Sequence, residues 1–130
     1  MPLARIDLAA GKPAAYRSTI GEVVYEAIVS ALGAPKDDRF QIITEHPPGE
    51  LVADEGYLGI RRTPDCVFIQ LTLNTGRSLE QKRAFYRQVA DGLHERLGLR
   101  REDVFVSLAE VAKENWSFGN GEAQYAPADS

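Results

Sequence analysis

The feature that most constrains the fold is an internal repeat at an offset of 65 residues, half the length of the chain. Residues 32–40 read Leu-Gly-Ala-Pro-Lys-Asp-Asp-Arg-Phe and residues 97–105 read Leu-Gly-Leu-Arg-Arg-Glu-Asp-Val-Phe, so Leu, Gly, Asp and Phe coincide. The same offset aligns residues 3–8 with residues 68–73. It also aligns Ile20, Val24, Ile28 and Leu32 with Phe85, Val89, Leu93 and Leu97. Three matches at one offset indicate two copies of one supersecondary unit.

Each copy has the pattern of a strand, a helix and a second strand. The first helix is expected to begin near Pro13, which suits a first helical turn, and to end at Gly33. The second is expected to begin at Ser78, where Gln81 completes a capping box, and to end at Gly98. The predicted helices comprise residues 13–32 and 78–97, and the predicted strands comprise residues 3–8, 39–45, 66–73 and 104–110.

Two strand–helix–strand units predict an α/β fold. Because a helical crossover joins parallel strands in a right-handed sense, each unit gives a parallel pair of strands. We therefore expect one domain over residues 1–130, with repeats at about 2–46 and 66–111 and a four-stranded, mainly parallel-paired sheet that carries both helices on one face. Residues 46–64 are expected to carry a short hairpin. The other face of the sheet has no cover, which predicts a homo-oligomer.

Composition argues against several classes of protein. The 130 residues carry 15 basic and 19 acidic side chains, a net charge of −4, which disfavours nucleic acid as the main partner. A single cysteine excludes an intrachain disulfide, and two distant histidines argue against a zinc cluster. No apolar run approaches the ~20 residues of a membrane helix, and the first residues lack the apolar stretch of a signal peptide. We expect a cytoplasmic protein that binds no metal, nucleic acid or membrane.

Familiar catalytic motifs are missing from the sequence. There is no Gly-x-Ser-x-Gly elbow and no phosphate-binding loop with its Gly-Lys pair. Cys66 opens a predicted buried strand and is interpreted as a small core residue rather than a nucleophile. His94, late in the second helix, suits the surface near a helix C-terminus. The role of His46, which ends a predicted strand beside a loop, stays open at this point.

Pro2 offers a different chemistry. If the initiator Met1 is removed, the chain begins with a secondary amine that titrates near neutrality. An apolar pocket lowers the pKa of such an amine, and a nearby carboxylate raises it. The neutral amine would act as a general base, and the cation as a general acid or as a group that polarises a carbonyl. By position alone, the simpler interpretation, that Pro2 merely begins a strand, is favoured.

Six short segments carry a combined signal. The two more specific ones are residues 35–41, Pro-Lys-Asp-Asp-Arg-Phe-Gln, and residues 115–121, Asn-Trp-Ser-Phe-Gly-Asn-Gly. The supporting segments are Pro2-Leu3, His46-x-Pro48-Gly49-Glu50, Leu58-Gly59 with Arg62, and Arg77-Ser78-x-Glu80-Gln81-Lys82. Together they resemble the tautomerase superfamily, and within it the malonate semialdehyde decarboxylase family. The resemblance covers nearly the whole chain and implies two β-α-β units with an amino-terminal proline.

The resemblance implies a role for each of five residues. Pro2 is the catalytic amine, cationic in a decarboxylase, and Asp38 is the carboxylate that supports or orients it. Arg77 binds the substrate carboxylate, for which a planar guanidinium is suited. Trp116 and Phe118 form an apolar wall, which desolvates the carboxylate and promotes loss of CO2. The resemblance further implies a small carboxylate substrate, no cofactor or metal, and a homotrimer.

Four of these residues also have simpler interpretations. Asp38 is typical of a turn residue ahead of a strand, with Asp103 as its counterpart in the second repeat. Arg77 is consistent with a solvated charge before a helix. Trp116 and Phe118 are consistent with ordinary core or oligomer contacts. Taken jointly, the set favours an enzyme.

Three functions from different classes stay open. The first is a decarboxylase of malonate semialdehyde or a similar 3-oxo acid. The second is a keto–enol tautomerase or hydratase acting on 2-keto or unsaturated acids, with Pro2 as base. The third is a non-catalytic oligomer with a blocked Pro2. The decarboxylase motif before the second helix is Arg-Pro-Arg, whereas this chain has Thr75-Gly76-Arg77, which weakens the first function relative to the second. Arg77 supports the first two over the third.

Overall fold

Strands and helices alternate along the chain as the repeat predicts. A computed structural model describes residues 2–127. These residues form four strands and two helices: β1 (Leu3–Ala9), α1 (Ala14–Leu32), β2 (Phe40–His46), β3 (Val67–Asn74), α2 (Leu79–Leu97) and β4 (Val104–Val111). Short 3₁₀ segments occur at Tyr57–Gly59, Arg101–Asp103 and Lys113–Asn115. The helices and strands agree with their predicted bounds to within one residue at either end.

The strands form one mixed sheet in the order β2-β1-β3-β4. β1 is parallel to β2, and β3 is parallel to β4, so each helix is the crossover of a parallel pair. The two β-α-β units join through the antiparallel pair of β1 and β3. The predicted α/β architecture, with a mainly parallel-paired sheet and both helices on one face, is confirmed.

The predicted helix ends are formed by local backbone geometry. Ser78 Oγ accepts a hydrogen bond from Gln81 N at 3.1 Å, and Ser78 N donates to Gln81 Oε1 at 2.9 Å, which is the predicted capping box. Gly33 and Gly98 end the helices in the left-handed region, at φ of 71° and 68°. Pro13 lies immediately before the first residue of α1. The caps of α2 therefore come from sequence signals within four residues of each end.

Both helices bury their repeat-defining apolar stripes against one face of the sheet. Core side chains that are at most 2% exposed include Ile6, Leu8, Ile20, Val24, Leu32, Ile69, Leu71, Phe85, Val89 and Leu93. The helices also contact each other, and Gly92 of α2 makes this approach possible. A Cβ atom at Gly92 would lie 2.8 Å from Val23 Cγ1 of α1, which is closer than two carbon atoms can pack. A larger side chain at Gly92 would force the helices apart.

The opposite face of the sheet has no helical layer. Phe40, Ile42 and Phe105 on this face are 42 to 47% exposed. Its polar part includes a close pair, in which His46 Nε2 lies 2.6 Å from Asp7 Oδ1. Large apolar side chains on an open sheet face are the surface that the sequence predicts for association with other copies.

The connection between the two units differs from the expected hairpin. Among residues 47–66 the regular element is the 3₁₀ segment Tyr57–Gly59. The Arg62 guanidinium donates from Nη1 to the carbonyl oxygens of Asp54, Tyr57 and Ile60 at 3.1 to 3.3 Å. One side chain thus satisfies carbonyls that a hairpin would pair across its strands.

No helix within residues 2–127 is long and apolar enough to cross a membrane.

Candidate active site

Pro2 lies where the two β-α-β units meet. It is buried and immediately precedes β1. Leu3 pairs with Phe40 in the parallel register, which places the start of β1 beside the segment that leads into β2. Leu3 also pairs with Thr72 in the antiparallel register, which places the start of β1 beside the end of β3. The topology therefore brings Asp38, before β2, and Arg77, after β3, to the neighbourhood of Pro2.

A cavity of about 280 Å³ opens at Pro2. Its lining residues are Pro2, Leu3, Phe40, Trp116, Ser117 and Phe118. Three of the five candidate residues therefore share one cavity. Asp38 and Arg77 do not line it; they lie beside it at the ends of β2 and β3.

The wall of this cavity is aromatic. The Trp116 and Phe118 rings stack with centroids 5.4 Å apart and planes inclined by 11°. The Phe118 ring also packs near Phe40, with ring centroids 6.2 Å apart, and edge to face with Tyr125, with ring centroids 4.9 Å apart. An aromatic surface of this kind excludes water from a small ligand. Sequence reasoning did not assign Phe40 or Tyr125 to the wall; the strand alternation points to Phe40, whereas nothing in the sequence marks Tyr125.

Asp38 is a buried carboxylate without a hydrogen-bond donor. The residue is 5% exposed, and neither Oδ1 nor Oδ2 accepts a hydrogen bond from residues 2–127. Burial raises the pKa of Asp38 above its usual range, and the positive charge of Arg77 acts in the opposite direction. Burying an unpaired carboxyl group is unfavourable, and no hydrogen bond offsets this penalty at Asp38, so the residue does not stabilise the fold. Its oxygens are available to an incoming donor.

Asp103, the counterpart of Asp38 in the second unit, is fully satisfied. It is 1% exposed, and it accepts hydrogen bonds from Thr63 N at 2.7 Å and from Thr63 Oγ1 at 2.6 Å. Arg100 Nη1 lies 3.6 Å from Asp103 Oδ2. The connection between the units thus occupies the carboxylate of the second unit, whereas the carboxylate of the first unit has no such occupant among the described residues.

Arg77 is fixed by the fold rather than solvated. Its Nε donates to the carbonyl oxygen of Leu32, the last residue of α1, at 3.1 Å, and its Nη1 donates to the carbonyl oxygen of Asn74 at 3.3 Å. α1 has no basic residue in its own last turn, so Arg77 supplies the positive charge that a helix C-terminus favours. The guanidinium is therefore held in place before any ligand binds.

Asn74 is a further residue of the site that sequence reasoning missed. Its Oδ1 accepts a hydrogen bond from Trp116 Nε1 at 2.7 Å, and its own carbonyl oxygen is the acceptor of Arg77 Nη1. A polar residue at the end of a predicted strand, three residues before Arg77, is the signal that could have revealed it.

A larger cavity, of about 510 Å³, lies at the other end of β1, and its lining includes His46, Arg62 and Cys66. Burial raises the pKa of the Cys66 thiol to about 11, an effect to which the charge of Asp103 adds. The thiol is therefore protonated at neutral pH, in keeping with its interpretation as a core residue. His46 is engaged by Asp7 on the open face. We therefore take the smaller cavity at Pro2 as the candidate site, because it contains the amine position and the strand pairing brings a carboxylate and a guanidinium to its neighbourhood.

The sequence matches models of a known protein family. Two family models, both described as tautomerase enzyme, match the chain, one over residues 38–119 and the other over residues 2–59. The chain belongs to the tautomerase family. The predicted superfamily is thus confirmed.

Relatives of the tautomerase family match nearly the full length. The probable tautomerase YusQ of Bacillus subtilis strain 168 is 38% identical, over 95% of this chain and 98% of its own. A malonate semialdehyde decarboxylase, whose structures were described as a basis for decarboxylase and hydratase activities, is 34% identical with a TM-score of 0.88, and 95% of each chain is covered.

Two further solved structures extend the comparison. The FG41 malonate semialdehyde decarboxylase, inhibited by 3-bromopropiolate, is 37% identical with a TM-score of 0.88, over 95% of this chain and 93% of the other. A fused 4-OT described as a symmetric trimer is 22% identical with a TM-score of 0.77, over 95% and 97%. The last of these shares the fold.

Proposed function

We propose that this tautomerase-family enzyme uses Pro2 as a catalytic amine and decarboxylates malonate semialdehyde or a similar 3-oxo acid. The observation that carries the proposal is the burial of Pro2 in an aromatic cavity, in the neighbourhood of a buried carboxylate that accepts no hydrogen bond from residues 2–127. Two malonate semialdehyde decarboxylases that are 34 and 37% identical over 95% of the chain support the choice of substrate class.

In the proposed reaction, Arg77 binds the substrate carboxylate, since its guanidinium is already fixed beside the cavity. The bond between the carboxylate carbon and C2 breaks, and its electron pair moves onto C2 and the aldehyde oxygen as an enolate. The Pro2 cation donates a hydrogen bond to that oxygen. In the alternative route, neutral Pro2 attacks the aldehyde carbon and loses water to form an iminium, which takes up the electron pair as an enamine; protonation at C2 and addition of water then release the aldehyde and free Pro2. CO2 leaves, and protonation of C2 gives acetaldehyde.

Two features of the environment of Pro2 would favour the proposed decarboxylation. An ionised Asp38 raises the pKa of a nearby amine, which keeps Pro2 in its cationic form. The stacked rings of Trp116 and Phe118 keep water from the substrate carboxylate, whose charge is dispersed as CO2 departs. The amine requires removal of Met1, which lies outside the described residues.

A keto–enol tautomerase or hydratase is the second candidate. Thr75 stands where the decarboxylase motif has its first arginine, so the site has one guanidinium fewer for a carboxylate. YusQ is called a probable tautomerase, and the similar decarboxylase is associated with a hydratase activity as well. In this case neutral Pro2 acts as a base. A non-catalytic oligomer with Met1 retained is the third candidate.

The deciding experiment first determines by mass spectrometry whether the native protein retains Met1, which would support the non-catalytic oligomer. It then compares rates for protein from which Met1 has been removed. Faster turnover of malonate semialdehyde than of phenylenolpyruvate supports the decarboxylase. Turnover of phenylenolpyruvate alone supports the tautomerase, and no turnover of either supports the non-catalytic oligomer. Inhibition by 3-bromopropiolate, which inhibits the FG41 relative, is the control that the cavity accepts a three-carbon carboxylate.

We also propose that the enzyme is a homotrimer. The open sheet face with Phe40, Ile42 and Phe105 supplies an apolar surface, and a fused 4-OT of the same fold is a symmetric trimer.

A further inference from the structure

Asn74 connects the two sides of the candidate site. It is the last residue of β3 and is 7% exposed. Its side-chain oxygen accepts the indole N–H of Trp116 at 2.7 Å, and its backbone oxygen accepts Arg77 Nη1 at 3.3 Å. One residue therefore binds the aromatic wall through its side chain and the guanidinium through its main chain.

Trp116 depends on this contact for its position. The segment after β4 contains only the 3₁₀ turn Lys113–Asn115 and turns within residues 112–127, and it joins no strand of the sheet. Other hydrogen bonds in this segment are internal to it, such as Phe118 N to Gln124 Oε1 at 2.9 Å. Among residues 2–127, the bond to Asn74 is the hydrogen bond that joins the indole to the sheet, in addition to the packing of Phe118 between Trp116 and Phe40. A half-buried indole N–H needs such an acceptor.

We infer that Asn74 is a positioning residue, which fixes the orientation of the Trp116 ring relative to Arg77. The ring then excludes water from the part of the cavity where the substrate carboxylate would lie. The inference rests on the proposed function. An amide suits this position, because it offers a neutral acceptor close to Arg77 without adding a charge. A hydrophobic residue of the same size would leave the indole N–H unpaired.

Because the side chain of Asn74 binds Trp116 and its main chain binds Arg77, a side-chain substitution should change kcat much more than KM. Asn74→Leu removes the acceptor of Trp116 but keeps the carbonyl that holds Arg77. Water then reaches the carboxylate and stabilises the ground state, so kcat falls about ten-fold, the equivalent of one hydrogen bond. KM changes by less than about three-fold, because Arg77 stays in place. Asn74→Gln keeps a neutral amide acceptor and should restore part of the loss.

A second readout needs no substrate. Trp116 is the only tryptophan, so intrinsic fluorescence reports on the wall alone. Asn74→Leu is expected to increase acrylamide quenching of Trp116 about two-fold, and Asn74→Gln to bring it back toward the parent value, because one hydrogen bond restrains the ring. Far-ultraviolet circular dichroism is the control for folding.

A double-mutant cycle excludes a general structural effect. Trp116→Phe keeps an aromatic wall and removes the N–H, so it breaks the same hydrogen bond from the other side and stays informative if Asn74→Leu does not fold. It should lower kcat to a similar extent, and Asn74→Leu should cost nothing more in the Trp116→Phe background. Additive losses, or unchanged quenching in Asn74→Leu, overturn the inference. Failure of the proposed function would instead show as an inactive parent protein, and the quenching result decides the role of Asn74 in either case.

Discussion

At the scale of single residues, the two related aspartates separate a chemical role from a structural one. Asp38 accepts no hydrogen bond from residues 2–127, whereas Asp103 accepts two from Thr63. Asp103→Asn should lower the free energy of unfolding by about 1 to 2 kcal/mol, because charge-assisted hydrogen bonds in a buried site are lost. Asp38→Asn should lower kcat/KM at least about 100-fold if Asp38 acts on Pro2 as the proposed catalytic amine. Urea titration and turnover of both variants test this pair, and equal stability losses would refute the distinction.

The raised pKa of Asp38 also predicts how stability depends on pH. An acid whose pKa is higher in the folded state binds more protons when folded, so stability falls as pH rises from the unfolded pKa to the folded one. Asp38→Asn removes this loss. In the Met1-retained form, the variant should be more stable than the parent near pH 7 and no more stable below the ordinary aspartate pKa. Urea titrations at pH 3 and pH 7 measure the difference, and a variant that is less stable at pH 7 would contradict the burial effect.

Pro2 allows a test that leaves the core untouched. Retaining Met1 turns the amine into an amide, which neither titrates near neutrality nor forms an iminium. The Met1-retained form should therefore fold normally and lose at least about 1,000-fold in kcat/KM relative to the processed form. Pro2→Ala is milder, since a primary amine still acts, and should keep partial activity. Equal rates for two well-folded forms would reduce Pro2 to the first residue before a strand.

At the scale of secondary-structure elements, Arg77 belongs both to the end of α1 and to the site. Arg77→Ala should cost about 1 kcal/mol of stability, because the Leu32 carbonyl loses its donor. It should lower kcat/KM about 100-fold or more, because the substrate carboxylate loses its partner. Lys82→Ala is the matched control: it removes another cation near the start of α2, one that pairs with Glu110 at 2.6 Å. An unchanged kcat/KM in Arg77→Ala would remove this residue from the site.

The helices and strands were predictable because their signals are local. The capping box at Ser78 and the glycines after each helix lie within a few residues of the ends they form. The conformation of residues 47–66, which connect the two units, was not predictable, because it depends on Arg62 donating hydrogen bonds to carbonyl oxygens up to eight residues earlier. Asn74 was missed for the same reason: its partner Trp116 lies 42 residues away, and only the assembled sheet brings the two together.

The candidate site residues were proposed as a set from the resemblance, and their roles stay a prediction, whereas their arrangement in the fold depends on strand pairing. The repeat indicates two parallel pairs but leaves the order of the pairs open. The antiparallel contact of Leu3 with Thr72 is what places the end of β3, and with it Arg77, beside Pro2. No pattern of hydrophobicity within a single strand specifies that register, because both central strands are apolar along most of their length.

At the scale of the whole molecule, the sheet is covered on one side only. Ile42 and Phe105 are 44 and 42% exposed on strands at opposite edges of the open face. At roughly 25 cal/mol per Å², burying such side chains favours association of several copies of the chain. A closed trimer would bury the face in every copy without leaving an open edge for further growth. The protein at micromolar concentration should therefore scatter light with three times the mass of one chain.

A matched pair of substitutions locates the surface that forms the trimer. Ile42→Asp introduces a charge on the open face and should shift the protein to monomers, because burying an unpaired carboxylate between copies is costly. Tyr86 on α2 is 38% exposed, a similar fraction, but it lies in the helical layer on the other side of the sheet. Tyr86→Asp should leave the trimer intact. Light scattering of both variants, with circular dichroism to show that each folds, decides the matter: a trimeric Ile42→Asp would exclude the open face as the trimer interface, and a monomeric parent protein would exclude the trimer itself.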